Sequence, residues 1–535
     1  MSTYQEPRRA GAAWLFTTET WLLLALAGLS FAAHMLVSGS YGYFRDELYY
    51  IADGRHLQGG YVDQPALVGW IAALLRVTVG NGLVAIHVIP ALACAAIIVV
   101  TGLMTREMGG GRAAQLMAGA ATLFSVDHMG TGSLFSMDVL DQLWWALASL
   151  VLARMLRPDP PGPGAAGSSG GRVRRLWLVF GLIAAMGFLT KLTMLFFGLA
   201  VVLALIATPE RRHLRTPWPW LAAGIAVVGL LPWLVWNAVN GWPTLDFYRT
   251  YRYLSTGPLG FFANQLALMN PVAVPLAVAG LVFYFSRTGR SFRVLGWTFV
   301  FLYVILTGLR GKPYFLGPAY PILFAAGAVV LERLRLRRWL AWIRPAYMVL
   351  LALVGVLLAP FAMPILPPAA FLRFFGSYSG TSNAAVAQGR SEVLPAVLGD
   401  RLGWDSLTRT VQGVYAALPP EQRAQACVLT GNYGEASALS LLAAPGSLPP
   451  VISGHNNYYV WGPGTCSGQV IILVGCSEGD AQRARASYTS VALAATGNCP
   501  YCVSYERNLS IYVLSGLKDP SFDLRKVWPS LKHFD

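Results

Sequence analysis

Tyr41-Gly-Tyr-Phe-Arg-Asp-Glu-Leu-Tyr-Tyr50 sets two adjacent carboxylates, Asp46 and Glu47, directly after the first long apolar stretch of the chain. The switch from unbroken hydrophobic sequence to a charged loop is the edge of a bilayer, because ionised groups are costly in hydrocarbon and cluster where a helix leaves it. Tyr61-Val-Asp-Gln-Pro-Ala-Leu67 follows, so this first loop carries Asp46, Glu47, Asp53 and Asp63 beside Arg45, Arg55 and His56. Carboxylates at the mouth of a membrane bundle suggest a reaction or transport site. The plainer reading is a loop whose charges only face water.

Composition agrees with the membrane reading. Of 535 residues 55% are hydrophobic and 12% charged, and the mean hydropathy is +0.51. That is too apolar for a soluble chain of this length. Apolar stretches near the ~20 residues a spanning helix needs fall at 19–39, 82–104, 113–129, 133–156, 176–190, 191–207, 218–237, 264–286, 294–309, 314–332 and 345–365. About 11 to 13 transmembrane helices are expected on this count. Segment 66–79 is too short to cross and is expected along the interface.

The net charge of +15 does not imply a nucleic-acid partner, because the arginines gather in alternate loops. They occupy 106–112, 157–175, 211–215, 287–293 and 333–344. The positive-inside rule makes these loops cytoplasmic. Residues 1–18 then form a cytoplasmic N-terminus and 19–365 a transmembrane domain. Its first outer loop, 40–66, shares the outside with 366–535. No cleavable signal is evident at the start, and Pro158–Gly171 reads as a flexible linker.

From about 370 the pattern becomes mixed α/β, which makes the tail an extracytoplasmic domain. Ala426–Thr430, Val470–Gly475 and Ser510–Leu514 read as buried strands, and Asp405–Leu418 and Ala481–Ser490 as helices. Five of six cysteines lie in this tail. On an oxidising side Cys499 with Cys502, or Cys466 with Cys476, are candidate disulfides. A zinc site at the Cys-x-x-Cys lacks a second ligand pair.

Only two lysines occur in residues 1–365, Lys191 and Lys312, and neither sits in an arginine-rich loop. Both fall at outer boundaries, on the side of the acidic loop. Snorkelling would place a single lysine there. Two on the acidic side point to an anionic ligand, with a lipid phosphate as the natural candidate.

The order Asp46-Glu47, Gly60-Tyr61-x-x-x-Pro65-x-Leu67, Phe188-Leu-Thr-Lys191 and Lys312-x-Tyr314-x-x-x-Pro318-x-Tyr320-Pro321 resembles the bacterial GT-C glycosyltransferases. The likeness is to relatives of dolichyl-phosphate-mannose protein mannosyltransferase and of the aminoarabinose lipid A transferase, and it covers 20–335 in layout. The tail segments Gly431–Leu439 and Ser453–Pro463 also resemble the outward domain of bacterial members.

The resemblance implies a polytopic α-helical GT-C fold with a C-terminal extracytoplasmic α/β domain, set in the bacterial cytoplasmic membrane. It further implies inverting transfer of a hexosyl or pentosyl group from a polyprenyl-phosphate donor to a lipid, glycan or protein acceptor. Asp46 matches the family's loop aspartate and is the expected base, with Glu47 assisting. Lys191 matches the lysine expected on the donor phosphate. Lys312 and Tyr314 come second, and Arg249 and Arg252 are weaker candidates. Asp141 fits the register of the second outer-loop aspartate, one turn after Asp138, and helix capping is the other reading of either. Tyr61, Asp63 and Gln64 are expected near acceptor or sugar. The aminoarabinose branch has Glu-Lys-Pro where this chain has Asp63-Gln64-Pro65, so Gln64 could only hydrogen-bond. His455 is an acceptor contact or, in the rival reading, loop packing. No residues are assigned to a metal, and a divalent Mg²⁺ or Mn²⁺ against the phosphate is left open beside the two lysines. The rival functions are a secondary transporter or lipid flippase, with charges lining a path, and an envelope scaffold.

Overall fold

The computed structural model describes residues 18–158, 165–250, 257–334, 342–376 and 392–534. Arg252 and the arginines at 335–338 lie outside the described residues.

The first half alternates long apolar helices with short polar turns. The chain runs through α1 (Thr18–Val37), α2 (Arg45–Arg55), α3 (Leu67–Thr78), α4 (Leu83–Glu107), α5 (Arg112–Leu123), α6 (Val126–Gly132), α7 (Met137–Leu156), α8 (Ala165–Thr190), α9 (Met194–Ile206) and α10 (Pro217–Val239). It continues through α11 (Pro243–Thr250), α12 (Gly257–Leu268), α13 (Val274–Phe285), α14 (Arg293–Gly308), α15 (Tyr320–Arg333), α16 (Ile343–Leu358) and α17 (Pro368–Phe375). Among the described residues seven helices are long and apolar enough to cross a membrane, or nine if each of two bent pairs counts as one span. With its 12 residues, α3 fits the interfacial expectation.

Several apolar stretches do not become straight helices. The stretch 264–286 bends by 97° between α12 and the segment Pro271–Phe285. Asn270 makes the corner with φ 74°, and its Nδ2 donates to the carbonyls of Phe124 and Leu351, each at 3.2 Å. The stretch 113–129 breaks at Ser125, whose hydroxyl donates to the Leu268 carbonyl at 3.0 Å. The pair 176–190 and 191–207 meets at Lys191–Thr193, between α8 and α9. Helix α8 reaches back to Ala165, into the stretch expected as a linker.

The two ends of the bundle are chemically distinct. At the C-termini of α4 and α7, Arg154 and Arg157 pair with Glu107 at 3.2 and 3.0 Å. Nearby Glu332 accepts from the first N–H groups of α5. The acidic loop packs at the other end of α4, roughly 37 Å away along a helix of this length.

The tail is a five-stranded sheet of order β2-β1-β3-β5-β4. Strands β1 (Ala426–Thr430), β2 (Val451–Ser453) and β3 (Val470–Val474) run parallel. Strand β5 (Ser510–Leu517) is antiparallel to β3 and to the edge strand β4 (Tyr488–Thr496). Helix was expected over Ala481–Ser490, but it ends at Ala484. Tyr488 and its successors pair with β5, a strand suited to their aromatic and β-branched content. Cys499 bonds to Cys502. Cys466 bonds to Cys427 instead of Cys476, because β1 and β3 bring Cys427 beside it.

The tail seats directly on the first loop. Leu48 of α2 is fully buried within the tail's own hydrophobic cluster, with Trp404, Val428, Ile472 and Ile511. Arg401 reaches down to donate to the Ser133 carbonyl at 2.7 Å.

Candidate active site at the junction of bundle and tail

Helix α2 opens with Arg45-Asp-Glu, and the turn sends the two carboxylates different ways. Glu47 is fully buried. Its Oε1 lies 2.7 Å from His87 Nε2 and accepts from the Phe135 N–H, also at 2.7 Å. Its Oε2 accepts from the Phe44 N–H at 2.8 Å, closing the helix cap. Burial opposes its charge, but His87, Arg401 and the Phe135 N–H together hold its carboxyl below the usual range. The expectation that Glu47 assists at the site is corrected. Its three contacts join α2, α4 and the turn before α7.

Asp46 faces the opposite way and is 31% exposed at its side chain. Tyr433, from the tail helix Tyr433–Leu442, donates its hydroxyl to Asp46 Oδ1 at 2.7 Å. The Tyr433 ring stacks on Tyr49 with centroids 4.4 Å apart, and Arg45 lies over its other side at 5.1 Å. Tyr49 donates in turn to Asp63 Oδ1 at 3.2 Å. Burial, and next the charge of Asp46, push the Asp63 carboxyl up to about 7. Two carboxylates thus lie within electrostatic reach of each other, each held by a tyrosine hydroxyl.

The lysines form the other half of the site. Lys191, at the break between α8 and α9, forms an ion pair with Asp138 in the first turn of α7. Its ammonium sits 4.4 Å from the centroid of Phe315 and 5.3 Å from that of Tyr314. Such rings favour a cation through their negative faces. Lys312 approaches the Tyr314 ring from the far side at 5.8 Å. Lys191, Lys312 and Tyr314 therefore meet, although 121 residues separate the two lysines. Asp141 lies one turn deeper on α7 and accepts from the Thr193 hydroxyl at 2.6 Å. It is 2% exposed and fixes the α8–α9 break. Asp138, not Asp141, meets the lysine directly, which reverses the order expected from register.

Tyr50 connects the two halves. It is buried, packs edge-on against Phe135 at 6.5 Å, and lies within electrostatic reach of Asp46, Asp63 and Asp138. Burial and these three charges hold its phenol protonated far above the ordinary range.

Other expected contacts fall elsewhere. Tyr61 is fully buried and donates to the Asp53 carbonyl at 2.9 Å. Gln64 is also fully buried and donates to Asp53 Oδ2 at 2.8 Å. Both brace the loop from within, so neither side chain is presented to a sugar or acceptor. His455 is 6% exposed. It accepts from the Tyr433 N–H at 3.3 Å and stacks on His533 at 4.7 Å, which is the packing role. Arg249 is 76% exposed and pairs with Asp246 at 3.6 Å. No contact among the described residues joins it to Lys191. Among the described residues no group of three His, Cys, Asp or Glu side chains is arranged to hold a metal ion.

Tyr433 was not singled out from sequence. The signal was present in Asn432-Tyr-Gly-Glu435, a capping box whose Asn432 and Glu435 each bond the other's backbone. Such a box marks a helix start, but not what its first residue reaches.

Residues 63–236 match the sequence model of the family Dolichyl-phosphate-mannose-protein mannosyltransferase. No curated protein sequence matches the chain. Among solved structures, ArnT from Cupriavidus metallidurans bound to undecaprenyl phosphate superposes with a TM-score of 0.60 at 16% identity. That match covers 94% of this chain and 98% of ArnT. The apo form of the same protein gives 0.58 at 15%, with the same coverage. The chain therefore has the GT-C fold, a helical membrane bundle carrying an α/β tail, and over residues 63–236 it matches the mannosyltransferase family.

Proposed function

We propose that this protein transfers a sugar from a polyprenyl-phosphate carrier to a hydroxyl-bearing acceptor at the outer face of the bacterial cytoplasmic membrane. The observation that carries this reading is the pairing of two half-sites in one fold. A partly exposed carboxylate, Asp46, lies beneath the tail bonded to Tyr433, and Lys191 and Lys312 both approach the Tyr314 ring. Tyr50 lies between them, within reach of both acidic groups. The ArnT to which the chain is similar was crystallised with undecaprenyl phosphate, and a lipid of that class fits the lysine half.

In the proposed reaction the acceptor oxygen attacks the anomeric carbon as Asp46 takes its proton. The bond from that carbon to the carrier phosphate breaks, and the carrier leaves as polyprenyl phosphate. Attack from the side opposite the leaving group inverts the anomeric centre. Charge builds on the phosphate as it departs. Lys191 and Lys312, held in place by Asp138 and the ring of Tyr314, stabilise that charge where it forms. Glu47 and Asp141 keep the supporting helices in register. No step requires a metal, and Mg²⁺ or Mn²⁺ is left as an additive to be tested.

The test is turnover by full-length protein in nanodiscs, given radiolabelled undecaprenyl-phosphate hexoses and pentoses with an envelope fraction as acceptor. Asp46→Asn should lower the rate at least ~100-fold, the usual worth of a general base, with normal membrane insertion. Lys191→Ala should raise KM for the donor. Lipid flux without turnover would return the protein to the transporters.

A further inference from the structure

We infer that Tyr433, supplied by the tail, is a positioning residue that holds the Asp46 carboxylate in its reactive orientation, so that the membrane domain carries an incomplete site without the tail. This inference rests on the sugar-transfer reading and names a part of its machinery.

Tyr433 is set with unusual care for a residue 387 positions from its partner. It is the first residue of its helix, and the Asn432–Glu435 capping box fixes where that helix begins. Its backbone N–H donates to His455 Nδ1 at 3.3 Å. Its ring lies between Tyr49, at 4.4 Å, and Arg45, at 5.1 Å. Next to it, a Cβ on Gly434 would collide with the Arg45 side chain, so the tail approaches α2 as closely as a bare backbone allows. Arg45 is itself tied to the tail, donating to the Tyr505 hydroxyl at 2.6 Å, and Tyr505 donates to Asp400 Oδ1 at 2.7 Å.

The consequence for Asp46 is geometric and electrostatic. A carboxylate on the first turn of a helix has free rotation about two bonds. The Tyr433 hydroxyl, at 2.7 Å, and the Arg45 Nε, at 3.5 Å, both donate to Oδ1 and so fix the rotation of the carboxylate. The phenol keeps its proton, because burial together with the nearby carboxylates pushes its ionisation well above the ordinary range. The titratable groups facing Asp46 are Arg45, Tyr50, Asp63, Asp400 and Tyr433. Tyr433 is the one that bonds it with a neutral hydroxyl, so its removal leaves the surrounding charges in place.

Tyr433→Phe deletes that hydroxyl and keeps the ring stack. In full-length protein in nanodiscs, turning over a radiolabelled undecaprenyl-phosphate sugar found to be a substrate of the wild type, kcat should fall roughly 10- to 100-fold. KM for the donor should stay within about twofold, so that the loss falls on kcat of the folded enzyme. A purely structural tyrosine would lower the amount of folded protein and leave the kcat of the folded fraction unchanged. Tyr433→Leu, which removes the stack as well, separates the two effects through its melting temperature. Wild-type kcat in the folded fraction of Tyr433→Phe overturns the inference and leaves the sugar-transfer reading standing. No turnover by wild-type protein with any hexose or pentose donor overturns the sugar-transfer reading, and this inference falls with it.

Discussion

Asp46 and Glu47 share a peptide bond yet live in opposite environments, and the difference decides what each can do. Glu47 Oε1 lies beside His87 Nε2 and the Phe135 N–H in a site closed to water. Glu47→Ala would strand those donors, which costs about 3 kcal/mol or more for a buried pair. A markedly lower melting temperature is expected, measured on detergent-solubilised protein, with donor affinity intact in the folded fraction. Asp63 carries a pH signature. Its carboxyl holds a proton to about pH 7 in the fold, whereas in an unfolded chain it ionises near pH 4. Between those values the folded state binds more protons, so stability falls as pH rises from about 4 to about 7. Asp63→Asn should flatten that part of a melting-temperature profile. Sequence showed that acids gather in this loop. It could not show which were exposed, because a one-residue step on a helix turns a side chain by ~100° and only the neighbours decide what it meets.

At the scale of elements, the breaks in helices matter more than their number. Lys191 reaches its place because α8 stops just before it and α9 starts after Thr193, with Asp141 bonding Thr193 to hold the gap. A continuous helix through residues 176–207 would carry Lys191 elsewhere on its surface. The corner at Asn270 works in the same way, with its amide serving two carbonyls at once. Asn270→Leu should destabilise the protein by about 2 kcal/mol, from lost buried hydrogen bonds and a left-handed backbone that a larger side chain resists. Thermal unfolding in detergent would register the change. Hydropathy located both stretches, since an apolar run looks the same whether straight or bent. The bends were not legible, because each depends on a side chain finding a partner more than fifty residues away. In the tail, strands with unbroken Val, Ile and Leu were readable. The edge strand β4 was hidden by its alanines and its mostly exposed side chains.

The whole molecule is a bundle and a tail closed over one loop. The membrane class, the sidedness of the arginines and the lysines' isolation were all visible from composition and spacing, since they express one-dimensional rules of bilayer solvation. The interlock was not visible, because it pairs residues nearly four hundred positions apart. The tail's integrity should therefore govern the site. Removing the bond between Cys427 and Cys466 by paired serine substitution should cost about 3 kcal/mol, with earlier melting and a parallel loss of transfer activity. The same interlock has a consequence for how the protein is made. The buried cluster that takes in Leu48 is otherwise drawn from the tail, with Tyr43 packed against it, and Tyr433 is translated 387 residues after Asp46. At ordinary elongation speeds that is a delay of roughly 20 to 80 s. During that interval the nascent loop waits in the translocation environment with its reactive carboxylate undocked. A ribosome that stalls before the tail releases an inserted product whose first loop has no Tyr433 to hold Asp46.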